Sequence, residues 1–290
     1  MIDFVTVDRL GGIASARQLR AAGASSHELT AAVREGSLWR PRTGIYALPS
    51  APAAAMAAIA ARGRLSCVTA ARSYGLWSGD YARLHLQFAP NARAGPRAGH
   101  VCHWSPLEPH AEVWRVSLGD CLRSVARCAD EETAVAVFDT AISAGFTDPV
   151  ALREVLARQP VNVRARGGLA RAGADSGVES IVRQRLQRLG HVVEQQVHVV
   201  GVGRVDMRID GVVYLEIDGF AFHNDRRQFE RDRARDAILA ALDLRRLRVS
   251  AAQVLGEWGV VLSRIRSVLA HTANSQEGWD HPSGVACSIY

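Results

Sequence analysis

The sequence contains no lysine, so all 35 of its basic residues are arginines. Without lysine, no side-chain amine is present to act as a general base or to place an ammonium group beside a phosphate. Basic residues exceed the 29 acidic ones, which gives a net charge of +6. This excess is compatible with nucleic acid or another anionic partner. A GC-rich genome would also enrich arginine and alanine, so selection for arginine does not follow.

Cysteine is scarce as well. The chain has five cysteines, which are Cys67, Cys102, Cys121, Cys128 and Cys287. An odd number of cysteines with no C-x-x-C spacing predicts neither a disulfide framework nor a zinc ribbon. His100, Cys102 and His103 stand close together, but no second ligand pair follows at a suitable spacing. We therefore expect no metal site at this position.

Long apolar runs are also missing. The longest, residues 53–61, is too short to cross a bilayer, and the N-terminus lacks the basic-then-apolar layout of a signal peptide. We expect a cytoplasmic protein without membrane contact. The 290 residues, 48% of them apolar, are enough for two or three globular domains.

Residues 1–50 are predicted to form a small helical unit with a hairpin. Ser15 caps one predicted helix, and Ser25 or Ser26 caps a second that runs to Arg34. Residues 38–48 alternate and turn at Thr43-Gly44, which predicts two strands with Arg40 and Arg42 beside the turn. This order is typical of a winged helix-turn-helix, a DNA-binding module. It resembles the N-terminal domain of type IV abortive-infection antitoxins.

The centre of the chain is predicted to be an α/β middle domain over residues 51–158, without a catalytic constellation. Alternating residues predict strands at 84–88 and 101–104. Helical patterns cover 118–129, 131–144 and 147–158. Residues 159–174 are rich in glycine, arginine and small residues, which predicts a linker or exposed loop.

Residues 175–272 are predicted to form a C-terminal domain with the order α-β-β-β-α-β-α, followed by a tail over 273–290. Within it, residues 205–223 carry Asp206, Glu216, Asp218 and His223 on two strands and the segment after them. Carboxylate oxygens are the ligands that Mg²⁺ or Mn²⁺ prefers, and a histidine can serve as general base or acid. The alternative is a solvent-facing acidic hairpin with a turn histidine.

The register of this hairpin decides between the two interpretations. A two-residue turn at Asp210-Gly211 would place Asp206 opposite Leu215, so Glu216 would face the other side of the sheet. A shared metal site therefore requires an odd connection, such as Asp210-Gly211-Val212, or a bulge.

The C-terminal domain resembles a known family through several motifs. These are Gly203-Arg204-Val205-Asp206, Leu215-Glu216-Ile217-Asp218-Gly219, Phe222-His223, Phe229 with Asp232, Arg235 and Asp236, and Leu247-Arg248-Val249-Ser250. Residues 175–270 resemble uncharacterised bacterial domains related to the very short patch repair endonuclease. Those domains belong to the PD-(D/E)xK, restriction-endonuclease-like superfamily, whose members cut DNA with Mg²⁺.

The resemblance implies roles for individual residues. Asp206 corresponds to the first-strand metal ligand, Glu216 to the acid of the (D/E)xK element, and Glu179 to the acid on the first helix. His223 corresponds to the histidine after the glycine-aromatic segment. Asp218 occupies the position of the usual lysine and cannot supply its charge, although it could ligate a second ion or orient His223.

The arginines of this domain are candidate DNA contacts. We expect Arg204, Arg235 and Arg248 to join Arg40 and Arg42 in binding phosphates. For Arg235 the alternative is a solvated helix face with i,i+4 ion pairs.

Together these patterns predict an α/β protein with an N-terminal winged helix, an α/β middle domain and a C-terminal restriction-endonuclease-like domain. Its expected function is metal-dependent hydrolysis of DNA phosphodiester bonds, in repair or defence. The alternative is a DNA-binding regulator or antitoxin-like protein whose nuclease domain is inactive. A globular protein with only surface acids is the third interpretation. A homodimer, and a protein partner for the antitoxin-like case, are left open.

Overall fold

The computed structural model describes residues 2–92, 99–219 and 245–277. It is a mixed α/β structure, as predicted, and divides into two compact units, Met1–Ala172 and Gly173–Tyr290. We call these unit 1 and unit 2. Among the described residues, no helix is both long and apolar enough to cross a membrane.

The first part of unit 1 contains the two capped helices and the hairpin that its sequence predicts. Its elements are α1 (Phe4–Arg9), β1 (Ile13–Ser15), α2 (Ala16–Ala21), α3 (Ser26–Arg34), β2 (Trp39–Arg42) and β3 (Ile45–Ala47). Ser15 caps α2 and Ser25 caps α3, each with a reciprocal bond from the third helical residue, Gln18 or Glu28. The strand order is β1-β3-β2, so β1, which the pattern did not predict, pairs with the hairpin.

In the rest of unit 1, the described residues form a three-stranded sheet and six helices. They are α4 (Ala53–Ala60), β4 (Arg64–Leu65), α5 (Cys67–Ser73), β5 (Leu84–Phe88), β6 (His100–Trp104), α6 (Leu118–Cys128), α7 (Glu131–Ser143), α8 (Pro149–Leu156) and α9 (Val161–Gly168). The strand order is β4-β5-β6, with β5 and β6 parallel. The predicted strands and helices of this region are confirmed.

Residues 1–50 have an apolar cluster of their own around Leu19 and Leu29, but their strands also pack across the predicted boundary at residue 50. Ile13, Ile45 and Ala47 are buried in the same apolar cluster as Phe138 and Leu152. Since the hairpin shares its core with the following helices, it folds as part of unit 1.

The linker predicted over 159–174 is also corrected by the structure. Residues Val161–Gly168 form helix α9, with Val163 buried. Arg166 donates to the carbonyls of Ala126 and Ala129 at 2.7 and 2.8 Å. The arginines and glycines of residues 159–174 predict a loop. The long-range contacts of Arg166 stabilise a helix instead.

Unit 2 contains a four-stranded sheet and three described helices. Its elements are α10 (Gly177–Arg188), β7 (Val193–Val199), β8 (Gly203–Ile209), β9 (Val213–Asp218), β10 (Arg245–Ser250), α11 (Ala251–Gly256) and α12 (Trp258–Glu277). The strand order is β10-β9-β8-β7, antiparallel except for the parallel pair β9-β10. The predicted charged helix at 226–242 lies outside the described residues.

The closing helix begins at Ala251, as the pattern over 251–269 predicts, but it is divided in two and extends beyond the predicted end. Glu257 has a non-helical backbone, which divides α11 from α12. The second helix continues to Glu277, so the tail predicted from residue 273 is wrong for its first five positions. A helix that is already nucleated adds residues at low cost even where the apolar pattern has ended.

Candidate functional site

The connection between β8 and β9 has the odd length that a shared site requires. Met207 pairs with Leu215 and Ile209 pairs with Val213, which leaves the three residues Asp210-Gly211-Val212 between the strands. Asp210 and Gly211 have positive φ angles of 50° and 76°, and Val212 N donates to Ile209 O at 3.0 Å. The odd connection is confirmed, and the simple two-residue hairpin is excluded.

This register places Asp206 and Glu216 on one face of the sheet. Continuing the observed pairing by one residue sets Asp206 opposite Glu216, and directly opposed residues share a face. Ile217 N donates to Asp206 Oδ2 at 2.8 Å, so the Asp206 carboxylate is held against β9. The opposite face carries Val205, Met207 and Leu215, all at most 1% exposed.

Glu216 is buried, with 6% of the whole residue exposed. Its carboxylate is bound by two arginines of β10. Arg246 donates to Glu216 Oε2, and Arg248 donates to the same oxygen at 2.9 Å. Arg248 Nε also lies 3.6 Å from Asp218 Oδ1. Because β9 and β10 are parallel and in register, with Arg248 opposite Glu216, these charges lie on one face.

Glu179 lies in the first turn of α10 and is buried. Its carboxylate accepts hydrogen bonds from Ser176 Oγ at 2.8 Å, Asp175 N at 3.0 Å and Gln196 Nε2 at 2.8 Å. These bonds give Glu179 a helix-capping role beside any catalytic one.

Electrostatics link three of the predicted site acids. Burial raises the pKa of Glu179, and the charge of Asp206 raises it further, against hydrogen bonds that lower it. Burial likewise raises the pKa of Asp206, and the charge of Glu216 adds to the rise. Asp206 is therefore electrostatically coupled to both Glu179 and Glu216, and we call these three carboxylates the acidic face.

The predicted DNA-binding arginines have different environments. Arg40 and Arg42 are exposed on β2, as contact with a phosphate backbone requires. Arg204 pairs with Asp175, and Arg248 pairs with Glu216 and Asp218 as described above. Arg235 lies outside the described residues, and so does His223.

The carboxylates of the acidic face do not all lie within 4.8 Å of one another. Within residues 2–92, 99–219 and 245–277, the side chains close enough together to hold a metal ion are Cys67, His85, His103 and Cys128 of unit 1. Sequence reasoning missed this group, because no two of the four form a short motif. In the sequence, His103 stands beside Cys102. Its proximity to His85 depends on the pairing of β5 with β6, which the sequence pattern does not reveal.

Comparisons with known proteins give a distant structural likeness. The chain is similar to a crystal structure of the RV2827C protein from Mycobacterium tuberculosis, with 15% identity and a TM-score of 0.30. The match covers 57% of this chain and 73% of that one. No family model and no curated protein matches the chain.

Proposed function

We propose that this protein is a DNA endonuclease that depends on Mg²⁺ or Mn²⁺, with a restriction-endonuclease-like fold in unit 2. The observation that supports it most is the register of β8 and β9, which brings Asp206 and Glu216 to the same face. A shared metal site requires this register. A two-residue turn at Asp210-Gly211 would have placed Asp206 and Glu216 on opposite faces of the sheet.

The donor set is compatible with a hard cation. Mg²⁺ is commonly bound by one or two carboxylates together with substrate phosphates, and Asp206 and Glu216 would supply two. Asp218 would contribute only after its carboxylate leaves Arg248. When bound, the ion would supply polarisation of the phosphoryl group and a lower pKa for attacking water.

The protein's own groups would position the reactants. The bond from Ile217 N orients the Asp206 carboxylate, and Arg246 with Arg248 orients Glu216. Asp218 stands where the superfamily usually has a lysine, and Arg248 would supply a positive charge near that position. Its guanidinium lies between Glu216 and Asp218, where a cation would stabilise negative charge on a phosphate. His223 remains our candidate for proton transfer.

DNA is the proposed substrate, and the N-terminal hairpin is its proposed first contact. We interpret α2, α3 and the β2-β3 hairpin as a winged helix whose exposed Arg40 and Arg42 bind phosphates. A net charge of +6 favours such binding at low salt.

One observation favours a second function. Two arginines already neutralise Glu216, and a divalent ion must compete with them for the same carboxylate. If the arginines retain it, unit 2 is an inactive nuclease domain, and the protein is a DNA-binding regulator or antitoxin-like protein.

A cleavage and binding assay separates the two functions. Supercoiled plasmid is incubated with the full chain and Mg²⁺ or Mn²⁺, and binding is followed by gel shift. The variants are Asp206→Asn, Glu216→Gln and, as matched control, Glu194→Gln. Glu194 is a paired acid on the neighbouring strand β7. Nuclease activity requires a loss of at least about 100-fold in the first two variants and little change in the control.

Other outcomes count against the nuclease. Binding without cleavage under either metal supports the regulator. Cleavage that persists in Asp206→Asn and Glu216→Gln contradicts the assignment of the acidic face. Arg248→Ala and Arg248→Lys test the cationic role, because Lys retains the charge and should retain more activity than Ala.

A further inference from the structure

Four side chains of unit 1 bring together the ligands of a metal site that is separate from the acidic face. They are Cys67, His85, His103 and Cys128, and one ligand atom from each lies within 4.8 Å of the other three. We call them the Cys2His2 cluster. We propose that this cluster binds one Zn²⁺ ion as a structural site.

Two distances in the cluster match those between the corners of a zinc tetrahedron. Zn–N and Zn–S bonds of about 2.05 and 2.3 Å at tetrahedral angles separate two nitrogens by about 3.3 Å and a nitrogen from a sulfur by about 3.6 Å. His103 Nε2 lies 3.4 Å from His85 Nδ1, and Cys128 Sγ lies 3.7 Å from the same nitrogen. The nitrogen–nitrogen separation is longer than the usual N–H hydrogen bond.

The fold places each ligand on a regular element. Cys67 is the first residue of α5, and Cys128 is the last residue of α6. In the parallel pair β5-β6, His85 lies opposite Val101. His103 is two residues beyond Val101, so both histidines project from one face of the sheet. An ion here would join both helices to the sheet.

The ligand chemistry selects zinc over the hard cations proposed for unit 2. Thiolate and imidazole ligands suit Zn²⁺, whereas Mg²⁺ and Ca²⁺ take oxygen ligands. Two thiolates and two neutral imidazoles balance the charge of Zn²⁺, which suits a group in which Cys67 and His85 are buried. Four protein ligands leave no open position, as in structural zinc sites.

The cluster is accessible from one side. Cys128 is exposed and His103 is half-buried, so an ion can enter and a chelator can remove it. Cys67 has a positive φ of 52°, an unfavourable conformation for a residue with a side chain. The surrounding core holds it there, since Cys67 is fully buried.

Metal content and cobalt substitution test the proposal on the full chain. The protein, purified without chelator, should contain about one Zn²⁺ per chain when its metal content is measured by inductively coupled plasma mass spectrometry. After chelator treatment, added Co²⁺ should produce tetrahedral d–d bands and a thiolate charge-transfer band, and added Zn²⁺ should bleach both. The charge-transfer band is the decisive signal, because carboxylates of the acidic face cannot generate it.

Matched variants assign the ligands. Cys128→Ser and His103→Asn should each weaken Zn²⁺ binding by more than the roughly 10–100-fold cost of losing an outer hydrogen-bond partner. Cys128→Ser should also lose about half of the thiolate band, since one of two thiolates is removed. Cys102→Ser is the control, because Cys102 lies next to His103 on β6 and projects from the opposite face.

Three results would overturn the site. One is wild-type protein that neither contains zinc nor shows a thiolate band with Co²⁺. Another is equal loss of metal in Cys102→Ser and Cys128→Ser. The last is a Cys67–Cys128 disulfide in protein prepared under reducing conditions, detected by peptide mass spectrometry, because that bond would consume both thiolates.

Discussion

The ion pairs of Glu216 lead to a prediction about stability that can be resolved residue by residue. The Glu216 side chain is 8% exposed, and its partners Arg246 and Arg248 are 14% and 36% exposed. Removing one partner from a buried ion pair costs about 3–5 kcal/mol, because a buried charge is left uncompensated. An exposed partner contributes about 1 kcal/mol or less, because water screens it.

Arg246→Ala should therefore destabilise unit 2 more than Arg248→Ala does. We expect about 2–3 kcal/mol for Arg246→Ala, below the full cost because Arg248 still binds the carboxylate. We expect about 1 kcal/mol for Arg248→Ala. In a Glu216→Gln background, Arg246→Ala should cost less than about 1 kcal/mol, since no buried negative charge remains.

Hydrogen–deuterium exchange by mass spectrometry measures this difference. Peptides from β8 and β9 report the opening free energy of unit 2 separately from unit 1. Peptides from α7 in unit 1 serve as the internal control and should not change. The reasoning fails if Arg246→Ala costs no more than Arg248→Ala. It also fails if Glu216→Gln does not reduce the effect of Arg246→Ala.

Three further predictions concern the turn, the acidic face and the hairpin of unit 1. Gly211→Ala should destabilise unit 2 by about 1–2 kcal/mol, because alanine is strained at the positive φ of this position. The control Gly256→Ala, at a position without positive φ, should not destabilise it in this way, and urea unfolding measures both variants. Because burial raises the pKa of Glu179 above 4.5 and of Asp206 above 3.8, protonation favours the folded state. Without a divalent ion, the contribution of these two acids to the stability of unit 2 should therefore fall as pH rises above about 4. Wild type should lose stability relative to Asp206→Asn as pH rises, measured by urea titrations at several pH values. Arg40→Ala should weaken DNA binding and reduce the slope of log affinity against log salt by about one, and an unchanged slope in gel-shift titrations would contradict phosphate contact.

Some features could be predicted because they depend on neighbours in sequence. Ser15 was predicted to cap one helix and Ser25 or Ser26 the next; the structure has Ser15 and Ser25 as the caps, with capping hydrogen bonds. Such bonds form within four residues, so the sequence carries all of the information they need. In β8, Met207 and Ile209 alternate with Asp206 and Arg208, and this local pattern matches the buried face that the structure shows.

The register of β8 and β9 depends on both the local sequence of the turn and long-range packing of the sheet. The Asp210-Gly211 pair indicated a turn at the correct place, but the length of the connection was left undecided. The structure pairs Ile209 with Val213, which buries Val213 and Leu215 completely. A slip by one residue would turn both side chains away from the core, so packing of the whole sheet selects the longer connection.

The sequence by itself determined the local elements, the apolar faces and the identity of the acids on the hairpin. Only the tertiary structure decided which charges meet: Arg246 and Arg248 reach Glu216 from a strand about 30 residues further along the chain. It also brought His85 and Cys128 together across 43 residues. Contacts of this kind arise from packing of elements that are distant in sequence, and no short-range pattern encodes them.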